Sequence, residues 1–177
     1  EIRRRHVENS IRQGLAEDLF FLEFQPIFGR DRKVRGFEAL LRLRQTNGEM
    51  IGPAEFIPVA EEANLIQELG QWTISHAIAA AKVFPRDLFI AINVSPVEFK
   101  NGQLPQFVES KLRANNVSPS QISLELTEST IIDNSEIVRD QLLELKGMGL
   151  SISIDDFGTG YSSLGYLWRY RFDRLKI

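Results

Sequence analysis

The chain has 177 residues, 43% hydrophobic and 25% charged. That fits one globular domain with a sizeable core and excludes disordered, collagen-like and low-complexity classes. A net charge of −3 argues against a nucleic-acid polymer as partner. The absence of cysteine excludes disulfides, zinc–thiolate sites, iron–sulfur clusters and cysteine nucleophiles.

The chain opens Glu1-Ile2-Arg3-Arg4-Arg5-His6 with no apolar stretch behind it, so no secretory signal is expected. No apolar run reaches the roughly 18 residues that span a membrane. A cytoplasmic, reducing location is expected for this segment, with any anchor left to the parent protein. Val7, Ile11 and Leu15 recur at helical spacing, which predicts an amphipathic linker helix over residues 1–19. Phe20 to Phe28 reads as a strand, with Pro26 marking an edge or bulge. Val34 to Leu43 follows a charged turn, so the two strands are expected to pair as a hairpin. A helical stretch runs from Ala54 to Ala63 and from Leu65 to Phe84, with a break near Asn64 or Gly70. Leu88 to Val94 is a short apolar strand. Leu104 to Asn115 has Leu104, Phe107, Val108 and Leu112 in helical spacing. Ile122 to Leu126 and Leu150 to Ile154 read as strands on either side of a helix from Ser135 to Gly147. A short apolar helix is expected over Tyr161 to Trp168, and Phe172 to Ile177 reads as a last strand.

Alternation of strand and helix after the hairpin predicts parallel strands with crossover helices. The first strand is followed by Gly29-Arg30-Asp31-Arg32, not by the glycine-rich phosphate turn of an open nucleotide-binding sheet, which favours a barrel. A (β/α)₈ barrel has eight strands in about 250 residues. Six candidate strands therefore predict a modified TIM-type barrel, C-terminally incomplete in this chain, with residues 20–177 as one domain.

Asn93, Glu125, Asp155 and Asp156 stand at or near the ends of different apolar strands, the ends that converge on the active face of a barrel. Glu38, Leu40 and Arg42 share one face of their strand. Several carboxylates brought together need a cation to stay ionised. Oxygen donors with an asparagine amide suit Mg²⁺ or Mn²⁺. Lys176 would add a positive charge beside a phosphate or a metal-bound hydroxide. Each residue also has a plainer reading. Glu38 could be an ordinary exposed strand residue or a partner for Arg42, Asn93 could shape a turn, Glu125 could lie on a solvated edge strand, and Asp155-Asp156 could cap a helix before a glycine turn. His76, in a helix among alanines, reads as structural. Gly158-Thr159-Gly160 suggests a phosphate-cradling loop but lacks the lysine and spacing of a P-loop.

A set of motifs then carries a resemblance. Phe24-Gln25-Pro26-Ile27, Phe37-Glu38-Ala39-Leu40-Leu41-Arg42, Pro53-Ala54-Glu55-Phe56-Ile57-Pro58-Val59-Ala60-Glu61 and Asn93-Val94-Ser95 are followed by three more segments. These are Glu125-Leu126-Thr127-Glu128-Ser129, Asp155-Asp156-Phe157-Gly158-Thr159-Gly160-Tyr161-Ser162-Ser163-Leu164 and Asp173-Arg174-Leu175-Lys176-Ile177. In this order and spacing, over about residues 20 to 177, the chain resembles the EAL-domain family of cyclic-di-GMP phosphodiesterases. The resemblance implies a TIM barrel with one antiparallel early strand. It implies hydrolysis of one phosphodiester bond of cyclic-di-GMP to linear pGpG at a site with two Mg²⁺ or Mn²⁺ ions. Glu38, Asn93, Glu125, Asp155 and Asp156 match the family's metal ligands, and Lys176 its lysine near the attacking water. Gln25, Leu40 and Arg42 match positions that contact the dinucleotide. Glu128 matches the acid anchoring the loop after Asp155-Asp156, a loop tied to dimer-linked regulation.

Tyr170-Arg171 departs from the family's usual Leu-Pro, and Pro96 and Phe99 from the residues usual after Asn-Val-Ser. A further glutamate and a glutamine of the family have no counterpart up to Ile177, so this stretch alone is expected to be inactive. The parent is expected to be a homodimer with an upstream sensory or cyclase domain. The alternative is a catalytically silent cyclic-di-GMP receptor, a reading weakened by the presence of every matched ligand and of Lys176.

Overall fold

The computed structural model describes residues 2–127, 130, 136–155 and 172–176. Its described strands form one seven-stranded sheet in the order β1-β2-β4-β5-β6-β7, with β3 attached to β2. The hairpin is antiparallel. β1 (Phe20–Phe28) and β2 (Val34–Arg44) pair from Phe20 with Leu43 to Ile27 with Gly36, with a bulge at Ile27 and Phe28. The two-residue β3 (Met50–Ile51) also pairs antiparallel with β2, Ile51 opposite Leu43. Everything beyond is parallel: β4 (Phe89–Val94), β5 (Ile122–Thr127), β6 (Ser151–Asp155) and β7 (Arg174–Leu175). This is the mostly parallel α/β sheet with an antiparallel first strand that the sequence predicts.

One strand is added to those expected and another is shorter. β3 was not foreseen, because two residues carry no readable periodicity. The last strand is confined to Arg174 and Leu175 among the described residues, shorter than the expected Phe172 to Ile177. Backbone hydrogen bonds from Asp173 N to Ile152 O and from Lys176 N to Ile154 O, both 2.8 Å, still hold its flanks to β6. The expected helix over Tyr161 to Trp168 lies outside the described residues.

Period-2 alternation divides the strands into two faces. Ile90, Ile92 and Val94 of β4, Ile122, Leu124 and Leu126 of β5, and Ile152 and Ile154 of β6 are buried in one apolar cluster. The helices on that side are α3 (Ile66–Ala81), α4 (Leu104–Asn115) and α5 (Glu136–Gly147), which contribute Ile74, Ile78, Val108, Leu112, Leu142 and Leu145. Full burial of each such aliphatic side chain contributes about 1.5–3 kcal/mol. A second cluster joins α1 (Ile2–Ala16) and α2 (Pro53–Glu62) to the hairpin through Val7, Ile11, Phe20, Leu43, Ile51 and Phe56. The break between α2 and α3 falls at Asn64, in the left-handed region at φ 57°. Asparagine tolerates that conformation. Gly70 lies inside α3 instead of interrupting it.

On the other face stand Gly36, Glu38, Leu40 and Arg42 of β2, Phe89, Ala91 and Asn93 of β4, and Ser123 and Glu125 of β5. Gly36 pairs with Phe89, and a Cβ there would stand 2.4 Å from the Phe89 carbonyl oxygen. Glycine is what lets β2 approach at that point. The Arg174 guanidinium stacks 3.7 Å from the centre of the Phe89 ring, and the Ser123 and Ser153 hydroxyls are 3.2 Å apart. These groups form the floor below the polar cluster.

Candidate active site

Four predicted residues from four places in the sheet meet directly. Asn93 Nδ2 donates to Glu38 Oε1 at 2.9 Å. Lys176 Nζ donates to Glu38 Oε2 at 3.1 Å and to Glu125 Oε2 at 2.5 Å. The register explains the meeting: Asn93 pairs with Glu125, and Glu38 pairs with Ala91, whose small side chain leaves room on the same face. Asp155 ends β6 opposite Thr127, one inward position beyond Glu125.

Glu125 is only 3% exposed, in a strand flanked on both sides, so the solvated-edge reading does not hold. Burial pushes its carboxyl up. The Lys176 hydrogen bond and charge pull it back, and the charges of Glu38 and Asp155 push up again, leaving it above the ordinary range. Burial draws Lys176 down, but its hydrogen bonds and charge attraction to Glu125 and Glu38 outweigh that and hold it above its ordinary value. Its ammonium therefore stays charged.

The substrate-side positions surround this cluster. Leu40 and Arg42 line a cavity of about 550 Å³ shared with Asn93, Glu125, Thr127 and Glu61. That size is ordinary for a small-ligand site. Arg42 Nε pairs with Glu23 Oε2 at 2.8 Å, not with Glu38, so the Glu38–Arg42 pairing is not formed. Gln25 faces solvent on β1, directly opposite Glu38 in the hairpin register. Glu128, Asp156 and the Gly158-Thr159-Gly160 loop lie outside the described residues. His76 is structural: its ring stacks 3.7 Å from that of Trp72, and its Nδ1 lies 2.8 Å from the Trp72 carbonyl oxygen.

The donor chemistry fits a hard divalent cation: the Glu38, Glu125 and Asp155 carboxylates and the Asn93 amide offer oxygen, and burial leaves Glu125 short of compensating charge. Among the described residues no cluster of three or more acidic or histidine side chains is close enough to hold an ion. Lys176 bridges Glu38 and Glu125.

Sequence reasoning missed the residues that brace the end of β4. Ser95 caps the 3-10 turn Pro96–Phe99 in a reciprocal box with Glu98. Ser95 Oγ donates to Glu61 Oε1 at 2.7 Å. The Ser-x-x-Glu spacing was the available signal.

A family model described as EAL domain matches residues 8–177. A signaling protein of Caulobacter vibrioides is 42% identical over 98% of this chain and 22% of its own length. The cyclic di-GMP phosphodiesterase PdeR of Escherichia coli is 32% identical over 97% of this chain and 26% of its length. The bifunctional diguanylate cyclase/cyclic di-GMP phosphodiesterase MucR of Pseudomonas aeruginosa is 36% identical over 96% of this chain and 25% of its length. A solved structure of the MucR phosphodiesterase in complex with c-di-GMP superposes with a TM-score of 0.91 and 36% identity, covering 97% of this chain and 72% of that one. The chain thus spans about a quarter or less of the curated relatives it matches.

Proposed function

This chain belongs to the EAL domain family, and on that premise we propose that it hydrolyses cyclic-di-GMP to linear pGpG as the signalling domain of a larger parent protein. The observation that carries the reading is the direct contact of Glu38, Asn93, Glu125 and Lys176, drawn from distant parts of the sequence onto one face of the sheet.

Glu38, Asn93, Glu125 and Asp155, with Asp156 by motif, would hold Mg²⁺ or Mn²⁺, two ions in the full reading. Once bound, the ions would supply Lewis-acid polarisation of the phosphodiester. Lys176 has a different role. Between Glu38 and Glu125, it would present its ammonium as a positive charge toward a phosphoryl oxygen. Arg42, anchored by Glu23 at the cavity wall, would meet a phosphate. Leu40 offers an apolar surface to a base, and Gln25 a polar group at the rim. Glu128 would anchor the loop after Asp156.

The same proposal includes an upstream sensory or cyclase domain, a homodimer and a cytoplasmic site of action. The length of the relatives supports further domains in the parent. Among the described residues no helix is long and apolar enough to cross a membrane. The test is chromatography of pGpG formed by the parent protein with Mn²⁺ and after EDTA. Turnover abolished by EDTA supports the reading. Absence of turnover with cyclic-di-GMP still bound would replace it with the receptor.

A further inference from the structure

Asn93 is the exposed penultimate residue of β4, and the chain turns away after Val94. That turn is held from two sides. The Ser95 backbone N–H donates to Glu98 Oε2 at 2.7 Å, and the Ser95 hydroxyl donates to Glu61 Oε1 at 2.7 Å. Glu61 belongs to the last turn of α2. Glu98 is 8% exposed and seated on α3, where a Cβ added to Gly70 would fall 1.9 Å from Glu98 Oε1. Ser95, two residues beyond Asn93, is thus tied by its hydroxyl to α2 and by its backbone N–H to Glu98 of its own turn, which is seated on α3.

Burial pushes the Glu98 carboxyl up to about 8, the Ser95 N–H draws it down, and the Glu61 charge raises it further. The charge acting on it is that of Glu61 on α2 and its hydrogen-bond donor is Ser95 of the turn itself, while Gly70 of α3 lies against its carboxyl. Near neutral pH the group is a neutral acid, which accepts from Ser95 without placing a second charge beside Glu61.

We infer that Glu98 is a positioning residue for the active site: its buried carboxyl, wedged on Gly70, fixes the Ser95 turn so that the Asn93 amide is delivered to Glu38. The inference rests on the proposed reading for the importance of Asn93, but the Asn93–Glu38 bond can be read without any activity.

The experiment follows the Asn93 side-chain NH₂ signals in ¹⁵N-labelled chain, identified by their loss in Asn93→Asp. Glu98→Gln is neutral and of the same shape, and should leave them in place. Glu98→Ala should shift them as far as Glu38→Ala does. If Glu98→Ala fails to fold, Gly70→Ala displaces the carboxyl with Glu98 still present and should give the same shift. Unmoved signals in whichever of these two variants folds, or Glu98→Gln moving them as far as the alanine variant, would overturn the inference. In the parent protein, Glu98→Ala should lower kcat roughly tenfold while Glu98→Gln retains it. A parent with no hydrolysis in wild type would contradict the functional reading and leave the NMR result standing.

Discussion

Glu98 gives the chain a defined pH signature. In the unfolded state it titrates in the ordinary glutamate range near ~4.3. In the fold, burial raises it to about 8. Between those values the folded state holds the proton more tightly, so this group makes stability fall as pH rises, with no further change above about 8. The total effect is of order a few kcal/mol. Urea melts across this window should show Glu98→Gln with a flatter profile than wild type and higher stability at neutral pH. Lys176 makes the second residue-scale case. Lys176→Met removes the counter-charge of both Glu38 and Glu125. It should lower kcat by about 10²–10³, the usual cost of one transition-state electrostatic donor. Steady-state kinetics would check this, and Lys176→Arg should fail to restore the rate, because a planar fork cannot replace a compact ammonium between two carboxylates.

At the scale of elements, α1 is held by its apolar face rather than its arginines. Arg3 pairs with Glu55 and Arg4 with Glu62, all on exposed side chains. Such pairs contribute little. Ile11 is fully buried against the hairpin cluster. Ile11→Ala should cost about 2–5 kcal/mol by urea denaturation, while Arg3→Ala should leave the midpoint nearly unchanged. The hairpin, the crossover helices and the strand ends carrying Asn93, Glu125 and Asp155 were legible in the sequence, because alternation and helical spacing run over five or more residues there. β3 was not, since it exists only through its register with Leu43 and Arg44. The bridging of two carboxylates by Lys176 was not legible either. Spacing along the chain carries no information on which side chain fills the gap between Glu38 and Glu125. Glu98 escaped for the opposite reason: its Ser-x-x-Glu signal was present, but burial by Gly70 of a distant helix is a tertiary fact.

For the molecule as a whole, one polar cluster sits on a floor of Phe89, Arg174, Ser123 and Ser153, with the apolar helices on the far side of the sheet. The site can therefore be altered without disturbing the main core. Glu38→Ala should leave the melting temperature within a few degrees of wild type, since among the described residues the Glu38 side chain hydrogen-bonds to Asn93 and Lys176 and not to the apolar core. The decisive measurement is the rate of pGpG formation from cyclic-di-GMP by the parent protein, wild type against Glu38→Ala, with Mn²⁺ present. Turnover in wild type that falls by at least about 10²-fold in the variant is the expected result. Equal turnover in both, or none in a wild type that binds cyclic-di-GMP, would contradict hydrolysis at the Glu38–Asn93–Glu125–Lys176 cluster.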